Sequence, residues 1–184
     1  MSGGWLRRNG IALGAVVVLV PLTLGVTFSN EWVAYYANRP SQPVAVAAAS
    51  TADFAGTGWA VESSRRIAAD SAEGVEAGLP SGSQLVVVTV DVTPRELSGE
   101  GKSPYCTLRL EEQGRGELAR TWGDATFDAI DYREPEGVES GCNTDLATPY
   151  RMEAKFVIPG DVQTTLALRL EVVDELPRYL SFTL

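Results

Sequence analysis

The sequence predicts an all-β fold, an immunoglobulin-like β-sandwich, preceded by one N-terminal transmembrane helix. Three observations carry this. An uncharged apolar run stands near the amino end, period-two alternation of apolar and polar residues recurs through the second half, and glycine- and proline-rich turns punctuate that alternation.

The apolar run is Gly10 to Phe28, with no charged side chain. At about 1.5 Å rise per residue it spans roughly 30 Å, the thickness of a bilayer's hydrocarbon core. A helix satisfies its own backbone hydrogen bonds where water is absent, so the run is predicted to be helical. Arg7 and Arg8 precede it and Glu31 is the first charge after it. Positive flanks stay inside, which puts residues 1–9 in the cytoplasm and the long remainder outside, as in a single-pass protein of the cell membrane. Trp5 on one side and Trp32, Tyr35 and Tyr36 on the other suit the two headgroup zones. The competing reading is a cleaved signal peptide. Against it, the run exceeds an ordinary signal core, and the nearest small-residue site, Ala45-Val46-Ala47, lies far downstream. Pro21 reads as a tolerated kink, and Gly10 and Gly14 have the GxxxG spacing that can let two helices approach.

The sequence therefore divides into a cytoplasmic end (1–9), a membrane helix (10–30), a juxtamembrane segment and linker (31–55) and an extracytoplasmic sandwich (56–184). The linker reading rests on Asn38 to Ala55, where two prolines and many small residues predict an extended tether with no core of its own.

In the outer region, Val86, Val88, Val90 and Val92 share one strand face, with Thr89 and Asp91 on the other. The same alternation runs through Cys106, Leu108 and Leu110, through Met152, Ala154, Phe156 and Ile158, and through Leu166, Leu168, Leu170 and Val172. Trp59 and Val61 suggest a first strand, Ala119 to Gly123 a short one, and Leu180, Phe182 and Leu184 the last. Turn formers separate them at Pro80 to Ser83, Ser98 to Gly101, Gly114 to Gly116 and Pro159 to Asp161. Gly160 is read as joining its two flanking strands in a hairpin, and Arg65 to Ala77 as a loop. Six or seven such strands, each with one buried face, need a second sheet to cover them.

The runs Gln84 to Pro94 (QLVVVTVDVTP), Tyr150 to Val162 (YRMEAKFVIPGDV) and Thr164 to Val172 (TTLALRLEV) together resemble the immunoglobulin-like, telokin-like domains of uncharacterised membrane-tethered or secreted bacterial proteins. The resemblance covers residues 56–184 and is one of strand and turn pattern. It implies an adhesive, scaffolding or ligand-holding module with no catalytic residues to carry over. Those proteins often use a lipid anchor; this chain has no Cys before position 106 to carry one.

Composition narrows the chemistry. The net charge is −9, which disfavours nucleic acid. There is no His, the commonest general base and transition-metal ligand, so no ordinary Ser–His–acid triad can form. The dominance of Arg over Lys and the wealth of Ala, Gly and Val resemble coding from a GC-rich bacterial genome. The two cysteines, Cys106 and Cys142, are expected to pair in an oxidising space. Their bridge would close a loop of about 37 residues, worth roughly 4 kcal/mol in the chain-entropy model. The alternatives are inert thiols or a catalytic thiol, and the latter would need a basic neighbour.

The acidic stretch Asp124 to Asp145 is the one candidate for a ligand. Asp124, Asp128, Asp131 and Asp145 are its possible metal ligands for calcium, which takes several oxygens. The spacing of a known calcium loop is missing, and a solvated charged loop is the ordinary meaning of such a run. Trp122, Phe127, Tyr132 and Tyr150 flank it and would form a partner patch only if exposed together. Glu111-Glu112 and Asp174-Glu175 read as strand-end surface charges, and Gly101-Lys102-Ser103 lacks the upstream spacing of a phosphate loop. The expected function is a non-enzymatic, membrane-tethered interaction module, an accessory subunit of an envelope complex with a protein partner and no cofactor. A calcium- or small-ligand-binding domain is the alternative, and an envelope hydrolase using a carboxylate pair ranks last.

Overall fold

The computed structural model describes residues 3–114, 119–125 and 130–184; Phe127 and Asp128 lie outside the described residues, as do the side chains of Trp5 and Arg7. The chain divides into two units, Met1–Arg39 and Pro40–Leu184.

The first unit is one helix, α1 (Gly3–Ala37), longer at both ends than the predicted 10–30 span. Its stretch Arg8–Ala37 is long and apolar enough to cross a membrane; its most apolar 18 residues have a mean hydropathy of 2.4 and none of them is buried. Pro21 lies inside it. Near its end Trp32 and Tyr36 meet at a tilt with centroids 5.3 Å apart, and Tyr35 meets Tyr36 edge-on.

The second unit is a β-sandwich of two five-stranded sheets. The first sheet has the order β1 (Gln42–Val46), β10 (Arg178–Thr183), β9 (Leu166–Val172), β5 (Cys106–Glu112), β6 (Thr121–Gly123). The second has β2 (Thr51–Phe54), β3 (Thr57–Ala68), β4 (Ser83–Pro94), β8 (Tyr150–Pro159), β7 (Val138–Glu139). Pairing is antiparallel except at two edges, where β1 runs parallel to β10 and β7 parallel to β8. The valines of β4 at 86, 88, 90 and 92 meet Leu108, Leu110, Leu168, Leu170 and Phe182 of the facing sheet, with Trp59, Met152 and Phe156 in the same core. Trp59 is fully buried and its indole N–H donates to the Phe54 carbonyl at 3.0 Å.

Three expectations change. Residues 40–55 are not a tether. Gln42–Val46 is an edge strand of the first sheet and Thr51–Phe54 an edge strand of the second, with Val46 and Phe54 in the core. Pro43 misleads a reader of the sequence, but proline is tolerated on an edge, where no ladder partner needs its missing N–H. Second, Gly160 does not close a hairpin. β8 and β9 belong to different sheets, so Gly160–Thr165 is a crossover from one layer to the other. Third, Arg65–Ala77 is not a loop. Arg65–Ala68 completes β3, and Ala72–Glu76 forms a short helix, α2, whose N-cap Ser71 accepts from the Gly74 N–H at 3.0 Å. A side chain at Gly74 would run into the Ala68 carbonyl, so the close turn needs glycine.

A bulge in β3 between Val61 and Ser63 resets its register against β4. Beyond it, Ser63, Arg65 and Ile67 oppose Thr89, Val87 and Leu85 on the side of the second sheet that faces away from the core. That outer face carries a second apolar cluster of Ile67, Leu85 and Val87 with Ala77, Leu79, Ile130 and Tyr132.

Candidate functional site

In the segment that the sequence marked as a solvated acidic loop, the described residues from Ile130 onward form a strap on this outer face. The segment leaves β6 at Asp124. The Ala125 N–H donates to the Lys155 carbonyl at 2.6 Å and the Lys155 N–H donates to Asp124 Oδ1 at 2.7 Å. These two bonds occupy the free edge of β8. Further on, the Asp131 N–H donates to the Ala77 carbonyl at 3.0 Å, pinning the strap beside α2. Ile130 and Tyr132 point down and are buried against Leu85 and Val87.

Under the strap lie charged groups that alternation alone would place in water. The Tyr132 hydroxyl donates to Glu153 Oε2 at 2.8 Å and accepts from Arg65 Nη2 at 2.9 Å. Arg65 also pairs with Glu73 of α2 at 2.5 Å, its guanidinium 5.6 Å from the Tyr132 ring centroid. Burial, aided by the bond to Glu153, pushes the Tyr132 phenol up to about 12. Lys155, on the neighbouring row of β8, is buried and paired with Glu134 of the strap. A lysine and a glutamate in such surroundings are tolerated because each meets its partner; an isolated charge there would cost several kcal/mol, to order of magnitude.

The strap's far end is held covalently. Cys142, in the loop after β7, is bonded to Cys106 at the start of β5, with Cα atoms 5.7 Å apart. The bridge ties β5 of the first sheet to the loop that follows β7 of the second, and Cys142 Sγ lies 3.7 Å from Met152 Sδ. Tyr150 braces the same loop by accepting from the Asn143 N–H at 3.2 Å, and burial raises its phenol above the ordinary value.

The described metal candidates occupy separate places. Asp124 is bound to the β8 edge, Asp131 stands beside α2, and Asp145 faces Lys102 at 3.5 Å. Asp128 lies outside the described residues. Among the described residues no group of three or more His, Cys, Asp or Glu is disposed to hold a metal ion. Asp131 lines an open concavity with Glu73, Glu76, Tyr132 and Arg133. A second concavity lies over the disulfide, between Tyr105, Arg109 and Asn143. The flanking aromatics do not form one exposed patch. Trp122 and Tyr150 pack partly buried against the main core, and Tyr132 belongs to the strap.

Two polar groups escaped the sequence reading. Glu112 is buried, not a strand-end surface charge; Arg120 grips both its oxygens at 3.0 and 3.2 Å, and Thr164 Oγ1 donates to it at 2.9 Å. Its parity was the available signal, since Glu112 continues the inward series Cys106, Leu108, Leu110. The other is Arg169, at the middle of the first sheet's outer face. It pairs with Glu111 at 2.6 Å and Glu171 at 2.7 Å and lies 4.5 Å from the Tyr179 ring centroid.

No family model matches the sequence, and no curated protein matches it. Among solved structures, the chain is similar to an uncharacterised β-sandwich protein from Clostridium difficile 630, at 8% identity, over 79% of this chain and 95% of that one, with a TM-score of 0.39.

Proposed function

We propose that this chain is a membrane-tethered, non-enzymatic interaction module: a single-pass anchor with its amino end in the cytoplasm and an immunoglobulin-like domain outside, serving as an accessory subunit of an envelope complex. The observation that carries the reading is Arg8–Ala37, an apolar helix with no protein cover, joined to a separate sandwich unit. Such a helix finds its solvent in lipid. The Cys106–Cys142 bridge supports an oxidising compartment, and two facing sheets, with that bridge running from β5 to the loop after β7, support the immunoglobulin-like type. The non-catalytic reading is supported by the lack of His and by the engagement of Asp124, Glu134 and Glu153 in structural bonds.

The test uses the full chain in its native membrane. It should resist extraction by alkaline carbonate, its outer domain should be cleaved by protease added from outside, and photo-crosslinking before detergent extraction should trap it with a second membrane or envelope protein. Recovery in the soluble fraction, or as a solitary monomer with no crosslinked species, overturns the proposal.

A further inference from the structure

The strand registers fix which end of the sandwich the anchor leads into. In the first sheet Gln42 pairs with Arg178, Leu180 with Leu170, and Cys106 with Val172. The entering residue Ser41 therefore shares its end with Pro177, Val173 and Tyr105, and its N–H donates to the Pro177 carbonyl at 3.0 Å. The Arg178 guanidinium stands 5.8 Å from the Phe54 ring centroid, so Phe54, Thr57 and Pro94 of the second sheet lie at this end too. Leu97 follows in the connection from β4 to β5.

Large apolar side chains are exposed at this end: Tyr105 at 64%, Val173 at 65% and Leu97 at 42%. Only Val44 and Val75 are comparably exposed elsewhere among the described residues of the sandwich unit. The chain between Ala37 and Gln42 is four residues, which reach at most about 14 Å fully extended. Trp32, Tyr35 and Tyr36 fall in the last turns before that connection, and such rings settle at headgroup depth.

We infer that the sandwich rests on the bilayer through this end, with Tyr105, Val173 and Leu97 entering the headgroup zone of zwitterionic lipid. The inference builds on the membrane reading above. Tyrosine suits that zone, apolar in body and polar at its tip. The charges at this end largely offset one another, Asp145 facing Lys102, Glu175 pairing with Arg178 and Asp53 with Arg95, which suits a zwitterionic headgroup and gives anionic lipid no basic patch to hold.

Both cysteines are held in the disulfide, so one introduced cysteine can carry a nitroxide label. The full chain is reconstituted in phosphatidylcholine nanodiscs with the label on Val173→Cys, Tyr105→Cys, Val75→Cys or Val20→Cys. Val75 is the control, equally exposed at 69% but on α2, beyond the opposite end of β3. Collision with lipid-soluble oxygen relative to a water-soluble nickel chelate should be several-fold higher at Val173 and Tyr105 than at Val75, and higher still at Val20. If Val20 reads as deep in lipid while Val173 and Tyr105 match Val75, the contact is overturned and the anchor stands. If Val20 reads as aqueous, the anchor fails and the contact with it. Shielding of Val173 and Tyr105 from both agents would mean that protein covers this end, which also overturns the inference.

Discussion

On the outer face of the second sheet, Leu85 and Val87 of its central strand are roofed by Ile130 and Tyr132 of the strap. On the outer face of the first, the corresponding central strand presents Arg169, covered by Glu111, Glu171 and Tyr179. Among the described residues, one face is finished by chain and the other by side chains. Apolar cover contributes about 25 cal/mol per Å² removed from water. Ion pairs at a wet surface contribute about 0 to 1 kcal/mol each. The strapped face should therefore hold much of the stability, while the ion-paired face stays soluble without another layer.

The largest test of that contrast is the bond fastening the strap's far end. Cys106→Ser with Cys142→Ser should cost roughly 4 kcal/mol in chemical denaturation, from the loop entropy released. Amide exchange should rise first along 130–146; an even rise over both sheets would mean the bond serves the sandwich as a whole. Next comes Leu85→Ala, expected to cost about 3 kcal/mol, because the side chain is wholly buried. A loss under about 0.5 kcal/mol, the usual surface value, would show that the face is open.

Tyr132→Phe should cost about 1 kcal/mol for the hydrogen bond that its hydroxyl donates to Glu153. It also has a pH signature. A phenol held up to about 12 binds its proton more tightly in the folded state than in the unfolded chain, where the value is 10.0. Its contribution is complete below pH 10.0 and is lost as pH climbs towards about 12. Denaturant midpoints across that range should slope less in the Phe variant; equal slopes would leave Tyr132 out of the alkaline transition. The smallest effect belongs to an exposed pair. Arg95→Ala, which breaks the 2.9 Å contact with Asp53, should change stability by less than about 0.5 kcal/mol. A larger loss would show that surface ion pairs here carry more weight than the contrast allows.

The sandwich was legible where burial was one-sided. Val88 to Val92 and Leu168 to Val172 alternate cleanly, and both supply the main core. The strap was not legible, because Glu153 and Lys155 obey outward parity and only a distant segment covers them. A clue stood in β4, where Leu85 and Val87 put apolar residues on the supposed polar face, as strands buried on both sides do. The edge strand Gln42–Val46 was hidden by its proline, and the crossover after Pro159 by a turn sequence that fits hairpins and layer changes equally. As for the site, pairing of the cysteines was legible from their count of two and from the compartment expected of them. The dispersal of the acidic residues was not, since it depends on which backbone each one meets.

The parallel pairing of β1 with β10 has a mechanical consequence. Force applied through the amino-terminal segment acts along β1, whose ladder with β10 runs from Gln42 to Val46. If the carboxyl-terminal end of β10 is held, the load passes lengthwise through that ladder, and its hydrogen bonds resist together instead of peeling one by one. Pulling on the amino-terminal helix against a held carboxyl end thus strains the sandwich in shear, the direction in which a short ladder is hardest to rupture.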